Sequence, residues 1–443
     1  MTSDTGAVPR RTGLVARLRT DLRDPLFLQG YALMVNTAVT ALLGLGYWFL
    51  AVRLYDPAAF GQGQLMITAM RLFSSLVGLA FVGGGDGPVH PGVGARHGRA
   101  GAARLRGGRH HGGAGGARVP ADAAVVGGPA YGELAGFVPA VVFLASVLVW
   151  TIFTLQDVVL AGLRQAVWVP VNSTVFGLAK MVLLVVLAGA LPVGGLYGGI
   201  FVSWMVPTAL ALIPVTLLIF KVAVPRHVAR TGANATPPRL REIGRFVAGD
   251  FSGTLSTLLV LYLVPVMVGA WLNDAELFGY FSIAHTLGCM MGLLAANMAV
   301  SLTVEGSLDA GRLARSTRDA LRRTFLIVGP VVAVVVAGAP LILRVFGPEL
   351  AEAGTPLLRL MAVGVLPMAL VEIRLGTLRA RSEARKLATV QIGMTLLVFA
   401  TVIALFPVAG VTGVGYALLI SQTVTGLCVL PGLRKVLALP RTG

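Results

Sequence analysis

Along the chain, long apolar runs alternate with short polar breaks. Eleven runs carry few charges and reach the roughly 20 residues that an α-helix needs to cross a bilayer core of ~30 Å. They lie near 31–52, 64–83, 134–155, 171–190, 196–220, 246–270, 278–303, 324–346, 357–376, 387–407 and 412–431. The breaks are rich in Gly, Pro, Arg and Lys, residues that end membrane helices or hold their ends in water. This pattern predicts an all-α polytopic membrane protein. One break, 84–130, is out of scale with the others: it is Gly-, Ala-, Arg- and His-rich and contains no apolar run.

Composition narrows the class. Apolar residues make up 56% of the chain and charged residues 12%, against about 25% charged in soluble domains, so a soluble enzyme or binding module is excluded. A net charge of +17 would point a soluble protein toward nucleic acid. Here no aromatic residues interleave the arginines, and the cations gather in alternate connectors, which makes the charge an orientation signal.

Arg10, Arg11, Arg17, Arg19 and Arg23, the connectors around Lys221–Arg241, Arg312–Arg323 and Arg379–Lys386, and the tail with Arg434, Lys435 and Arg441 all belong on the cytoplasmic side. The opposite connectors, GALPVGGLYGG, WLNDAEL and GPELAEAGTP, are short and neutral or acidic. Both termini are therefore expected in the cytoplasm, with the chain in the cell membrane. Leu14, Val15, Leu18, Leu22 and Leu26 recur among Arg17, Arg19 and Arg23, so residues 1–30 read as a basic amphipathic segment lying on anionic lipid.

Orientation exposes a gap. Counting back from the cytoplasmic connector at 221–242 puts residue 133 outside, whereas counting forward from the N-terminus puts residue 84 inside. One crossing is missing between them. An internal repeat says the same: Asp56, Phe60 and Gly61 recur as Asp274, Phe278 and Gly279, an offset of 218 residues. That offset maps the run at 324–346 onto 106–128, inside the anomalous break. The expected architecture is thus two parallel six-helix repeats, a bundle over 31–220 and a bundle over 243–437, joined by a cytoplasmic linker at 221–242, with the third helix missing or garbled.

GC-rich codons are shared by Gly, Ala, Arg, His and Pro, so a hypothesis for 84–130 is a reading frame translated out of register. Translating the other two frames of the gene tests it; if neither gives an apolar run of about 20 residues, the idea fails. The alternative is a genuine basic loop near anionic headgroups. A His-rich metal site is disfavoured, because nothing in a Gly-rich chain pre-places ligands. Cys289 and Cys428 lie inside apolar runs and read as packing residues, with no cofactor or metal indicated.

At this point the residues support a resemblance. RDPLFLQGYALMVNTAVTALLGLGYWFLAVRLYDPAAFGQG, WTIFTLQDVVLAGLRQAVWVPVNSTVFGLAKMVLLV, LFGYFSIAHTL, SLTVEGS and LLRLMAVGVLPMALVEIRLGTLRAR resemble bacterial polysaccharide-biosynthesis membrane proteins. These are Wzx-type flippases of the MOP superfamily, which also holds the multidrug and toxin extrusion (MATE) transporters. The resemblance implies a MATE-like fold of two bundles around a central cavity. It also implies alternating access that carries a polyprenyl-diphosphate-linked oligosaccharide across the membrane, with polysaccharide polymerase and glycosyltransferases as partners.

Charged residues inside membrane runs cost several kcal/mol unless they face a cavity or a partner, so they are the candidate site. Arg71 and Lys180 are the cations placed to meet a diphosphate, Arg by bidentate contact and Lys as a point charge. Asp250, among small residues, is the candidate for proton or ion coupling. Asp157 with Arg164, and Glu372 with Arg374, are candidate gates or ion pairs near the inner face. Pro170, Pro207, Pro214, Pro265 and Pro367 are candidate hinges.

Four functions compete at this stage: a lipid-linked glycan transporter, a cation-coupled multidrug exporter, a membrane glycosyltransferase or ligase, and a non-functional frameshifted remnant. An enzyme is disfavoured, since the recognisable outer connectors are too short to house a site with paired carboxylates. No GxxxxGK[ST] sequence is present to bind ATP.

Overall fold

The computed structural model describes residues 25–84, 129–162, 168–225, 253–308 and 313–438. Ten helices carry the described chain: α1 Pro25–Leu54, α2 Pro57–Gly84, α3 Phe137–Gly162, α4 Trp168–Ala190, α5 Gly199–Leu218, α6 Gly253–Leu272, α7 Ala275–Leu308, α8 Leu313–Arg344, α9 Pro348–Ala380 and α10 Ala384–Leu437. No strand occurs among the described residues, and seven of these helices are long and apolar enough to cross a membrane. The fold is all-α, as the hydropathy pattern predicts. Large apolar side chains such as Leu42, Leu144, Val186, Leu210 and Val334 point outward, as lipid in place of water allows.

The helix α10 is two passes rather than one. Gly410 takes a left-handed φ of 53°, and beyond it the chain doubles back, so that Thr401 Oγ1 lies 2.8 Å from Ser421 Oγ. A straight helix would hold residues twenty apart ~30 Å from each other. The separate runs 387–407 and 412–431 are therefore the two arms of one hairpin.

The repeat is visible in the helix ends. Leu54 and Leu272 close α1 and α6, and Pro57 and Ala275 open α2 and α7, each pair 218 residues apart. The shared Asp-Phe-Gly pattern is a helix start. In both copies the Asp carbonyl accepts the N–H of the Phe four residues on, and Asp274 also caps Leu277 N–H through its side chain at 3.0 Å. By the same offset the counterpart of α8 falls at 95–126, outside the described residues, as do 1–24, most of the linker 221–242 and the end of the tail.

The halves meet along α2 and α7, where small residues permit contact. A Cβ on Gly61 would overlap the Ala275 carbonyl oxygen, and one on Gly279 would lie 2.8 Å from the Phe60 ring. At the same end Arg53 donates to Val345 O at 3.0 Å and Tyr131 donates to Val266 O at 3.2 Å. Two helices are irregular near their prolines. In α6 the residue Pro265 lacks an N–H, and the turn before it, Leu259–Leu263, is wound as a π-helix; α5, which carries Pro207 and Pro214, runs into a second π-turn, Ile219–Ala223.

Candidate functional site

The first half is built around an aromatic core. Tyr47 and Trp48 from α1, Trp150 and Phe153 from α3, Phe176 from α4 and Trp204 from α5 lie in successive ring contacts, with Trp48 stacked on Trp204 at 5.4 Å. Tyr47 Oη is fixed at 2.9 Å from both Ile200 O and Ser203 Oγ.

Into this core projects Lys180. Its Nζ lies 3.9 Å from the Trp204 ring centroid, 4.7 Å from Tyr47 and 5.1 Å from Phe176, and the residue is 5% exposed. No carboxylate pairs with it among the described residues. Each desolvated ring face is worth about 2 kcal/mol to a cation, which offsets only part of the several kcal/mol that burial costs. The rings hold the ammonium without neutralising it. The Trp204 indole N–H is also buried without an acceptor.

Arg71, on α2, is half-buried and faces the other half of the chain. Its Nη2 donates to Tyr262 Oη at 2.9 Å, and its Cζ stands 4.9 Å from the Tyr262 ring centroid. Tyr262 belongs to the π-turn of α6. Lys180 and the Cys289 thiol of α7 are within electrostatic reach of Arg71. Cys289 Sγ is 3.7 Å from His285 Nε2, and the His285 ring stacks on Phe281 at 5.3 Å.

The acidic candidates are elsewhere. Asp157, toward the end of α3, has a buried Oδ1 with no hydrogen-bond partner; Asn172 faces it from α4 with its own amide nitrogen unpartnered. The adjacent Gln156 ties α3 to α5 by donating to Leu212 O at 3.2 Å and Thr216 Oγ1 at 2.8 Å. In α9, Arg374 donates to Thr377 Oγ1 at 3.3 Å and packs against Gly432, and no ion pair joins it to Glu372. Residues two apart on a helix point to different faces. Arg164 and Asp250 lie outside the described residues.

The structure thus puts Arg71 within electrostatic reach of Lys180, and no ion pair joins Asp157, Glu372 or Arg374 to either of them among the described residues. Sequence reasoning missed Tyr262 and the rings around Lys180. The spacing of four between Phe176 and Lys180 was a visible signal; Tyr47, Trp204 and Tyr262 come from distant helices and gave none.

These features define a two-bundle, MATE-like membrane fold. Solved structures carry the same architecture. An outward-facing multidrug resistance MATE family transporter of the MOP superfamily superposes with a TM-score of 0.52 at 17% identity, over 96% of this chain and 99% of that one. The lipid II flippase MurJ in an inward closed conformation gives 0.56 at 12%, over 92% and 87%. The eukaryotic MATE transporter AtDTX14 gives 0.50 at 14%, over 96% and 93%. No protein-family model and no curated protein matches the chain. At these identities the likeness shows the fold: a multi-pass helical membrane protein of the kind used by transporters and flippases.

Proposed function

We propose that the chain is a transporter of the MOP superfamily in the cell membrane that moves a polyprenyl-diphosphate-linked oligosaccharide between leaflets by alternating access. The observation that carries this reading is the pair Arg71 and Lys180: Lys180 buried in the aromatic core of the first half, Arg71 reaching across to Tyr262 of the second and within electrostatic reach of Lys180, and neither in an ion pair with a carboxylate among the described residues. Such a site attracts a concentrated anion and repels a cationic drug. Arg71 makes the direct phosphate contact, and Lys180, sealed among rings, adds its field from behind. Structures of a MATE transporter and of the lipid II flippase MurJ share the fold, which supports this reading. Anionic membrane lipids and the enzymes that assemble or polymerise the glycan are the partners of this reading.

One observation favours the second reading, a cation-coupled multidrug exporter: the unpartnered buried carboxylate oxygen of Asp157, which could take a proton or a sodium ion. A binding measurement separates the two. The purified full chain in nanodiscs is titrated with farnesyl diphosphate and with ethidium. The glycan reading expects diphosphate binding that weakens by roughly tenfold or more in Arg71→Ala, the scale of losing one charge-assisted bidentate contact. Ethidium binding without diphosphate binding contradicts it.

A further inference from the structure

We infer that Tyr262 is a positioning residue that sets the plane of the Arg71 guanidinium and thereby the preference for a diphosphate over a monophosphate; this rests on the lipid-diphosphate reading above. Arg71 and Tyr262 are 191 residues apart and belong to different halves. Two contacts fix them together: the Nη2–Oη hydrogen bond at 2.9 Å and the approach of Cζ to the ring at 4.9 Å.

An arginine on an apolar helix has many rotamers and, if left free, would bury its stem and swing its head toward the nearest water. A hydrogen bond at one nitrogen and a ring beside the carbon leave it one plane. A guanidinium has five N–H donors, and Tyr262 uses one of them. The fork that remains can grip two phosphate oxygens at once, and held in one plane it can bridge oxygens on the two phosphorus atoms of a diphosphate, which a monophosphate does not offer.

The backbone gives an independent reason to single out Tyr262. It is the fourth residue of the π-turn Leu259–Leu263, and the proline two residues beyond that turn, Pro265, cannot donate to the preceding turn. A π-turn adds a residue to one helical turn and rotates what precedes it, at some cost in hydrogen-bond geometry, and such bulges are frequent at functional positions. Both Arg71 and Tyr262 are half-buried, so part of each remains accessible. Tyr262 also couples the two bundles: a ligand that engages Arg71 is held by a residue whose orientation depends on the other half.

The test uses the full-length protein in nanodiscs and two probes, farnesyl diphosphate and farnesyl monophosphate, with wild type, Tyr262→Phe, Tyr262→Leu, Arg71→Ala and the Arg71→Ala/Tyr262→Leu double variant. Tyr262→Leu should weaken diphosphate binding about tenfold and monophosphate binding less than about threefold, so the selectivity ratio falls. Tyr262→Phe, which keeps the ring, should lose a smaller part of that ratio. In the Arg71→Ala background Tyr262→Leu should cost nothing further, since it acts through Arg71.

A merely structural tyrosine would lower both affinities equally and leave the ratio unchanged. That result, or additive losses in the double variant, overturns the assignment while the diphosphate reading stands. Absence of diphosphate binding by wild type overturns both. If Tyr262→Leu does not fold, the ratio in Tyr262→Phe decides alone: a fall supports the assignment and no change overturns it.

Discussion

Gly61 and Gly279 occupy the same place in the two repeats and face each other across the boundary between the halves. A Cβ built on Gly279 would stand 3.3 Å from Gly61 Cα, and one built on Gly61 would overlap the Ala275 carbonyl oxygen. The repeated sequence motif is therefore also a contact of the two repeats with each other. It closes the end of the bundle that the charge pattern assigns to the outside.

Substitution there should force the halves apart. Gly61→Ala is expected to destabilise this closed arrangement by about 1–3 kcal/mol, the usual cost of overpacking, and Gly61→Leu by more. Cys289, half-buried on α7, the helix that carries Gly279, is a natural reporter once Cys428 is replaced by Ser. An impermeant maleimide added to intact cells should label Cys289 faster in Gly61→Leu than in the Cys428→Ser parent. Equal rates would show that the Gly61 contact does not hold this end shut.

Lys180 separates a functional cation from a structural one. The residue is buried among Tyr47, Phe176 and Trp204 with no counter-charge among the described residues. Burial of an unpaired charge costs stability, so a volume-matched apolar residue in its place is expected to be neutral or stabilising. Lys180→Met should keep or raise the unfolding midpoint in detergent while glycan export in a complementation assay falls. Lost stability with export proportional to the protein remaining would make Lys180 a packing residue.

Asp157 discriminates between the two transport readings. In the glycan reading Asp157→Asn, nearly isosteric beside Asn172, leaves export within about twofold of wild type, as a substitution outside the phosphate site should. In the cation-coupled reading it abolishes gradient-driven efflux. Complementation and dye-efflux assays on the same variant decide.

The turn between α9 and α10 carries a pH dependence of its own. Glu383 receives Lys386 Nζ at 2.6 Å and Arg381 Nε at 3.0 Å, and the Lys386 hydrogen bond, followed by the nearby cations, holds its carboxyl below the usual carboxylate range. A depressed folded-state value means that the contribution is present above the unfolded value near 4.5 and is lost as pH falls through the folded one. Both cationic partners are exposed, so solvent screening limits the contribution to about 0.2–1 kcal/mol. Glu383→Gln should lower stability slightly at pH 7 and leave it less sensitive to acid below about pH 4.5. Identical acid limbs for the two proteins would contradict this.

Hydropathy located the helices because a membrane span must be continuous and apolar, and the 218-residue offset recurs in helix ends as well as in Asp, Phe and Gly. Starts were less legible: α2 begins at Pro57, before the run at 64, because Asp56 and Pro57 form a helix start whatever the hydropathy of the first turns. Arg71 and Lys180 stood out because charge in an apolar run is costly. Tyr262 did not, being one more aromatic residue in an apolar helix; its role depends on a π-turn and on a partner 191 residues away. The box around Lys180 was hidden for the same reason, since its rings come from α1, α4 and α5.

If the region around Arg71 and Lys180 serves an anionic lipid-linked cargo, the full chain in proteoliposomes should translocate one. A fluorescent prenyl-diphosphate-linked sugar and an impermeant quencher measure this. Transfer between leaflets is expected above that of protein-free vesicles, lost in Arg71→Ala and reduced in Lys180→Met. Transfer no faster than in protein-free vesicles, with the same proteoliposomes accumulating a cationic dye under an ion gradient, would contradict the assignment.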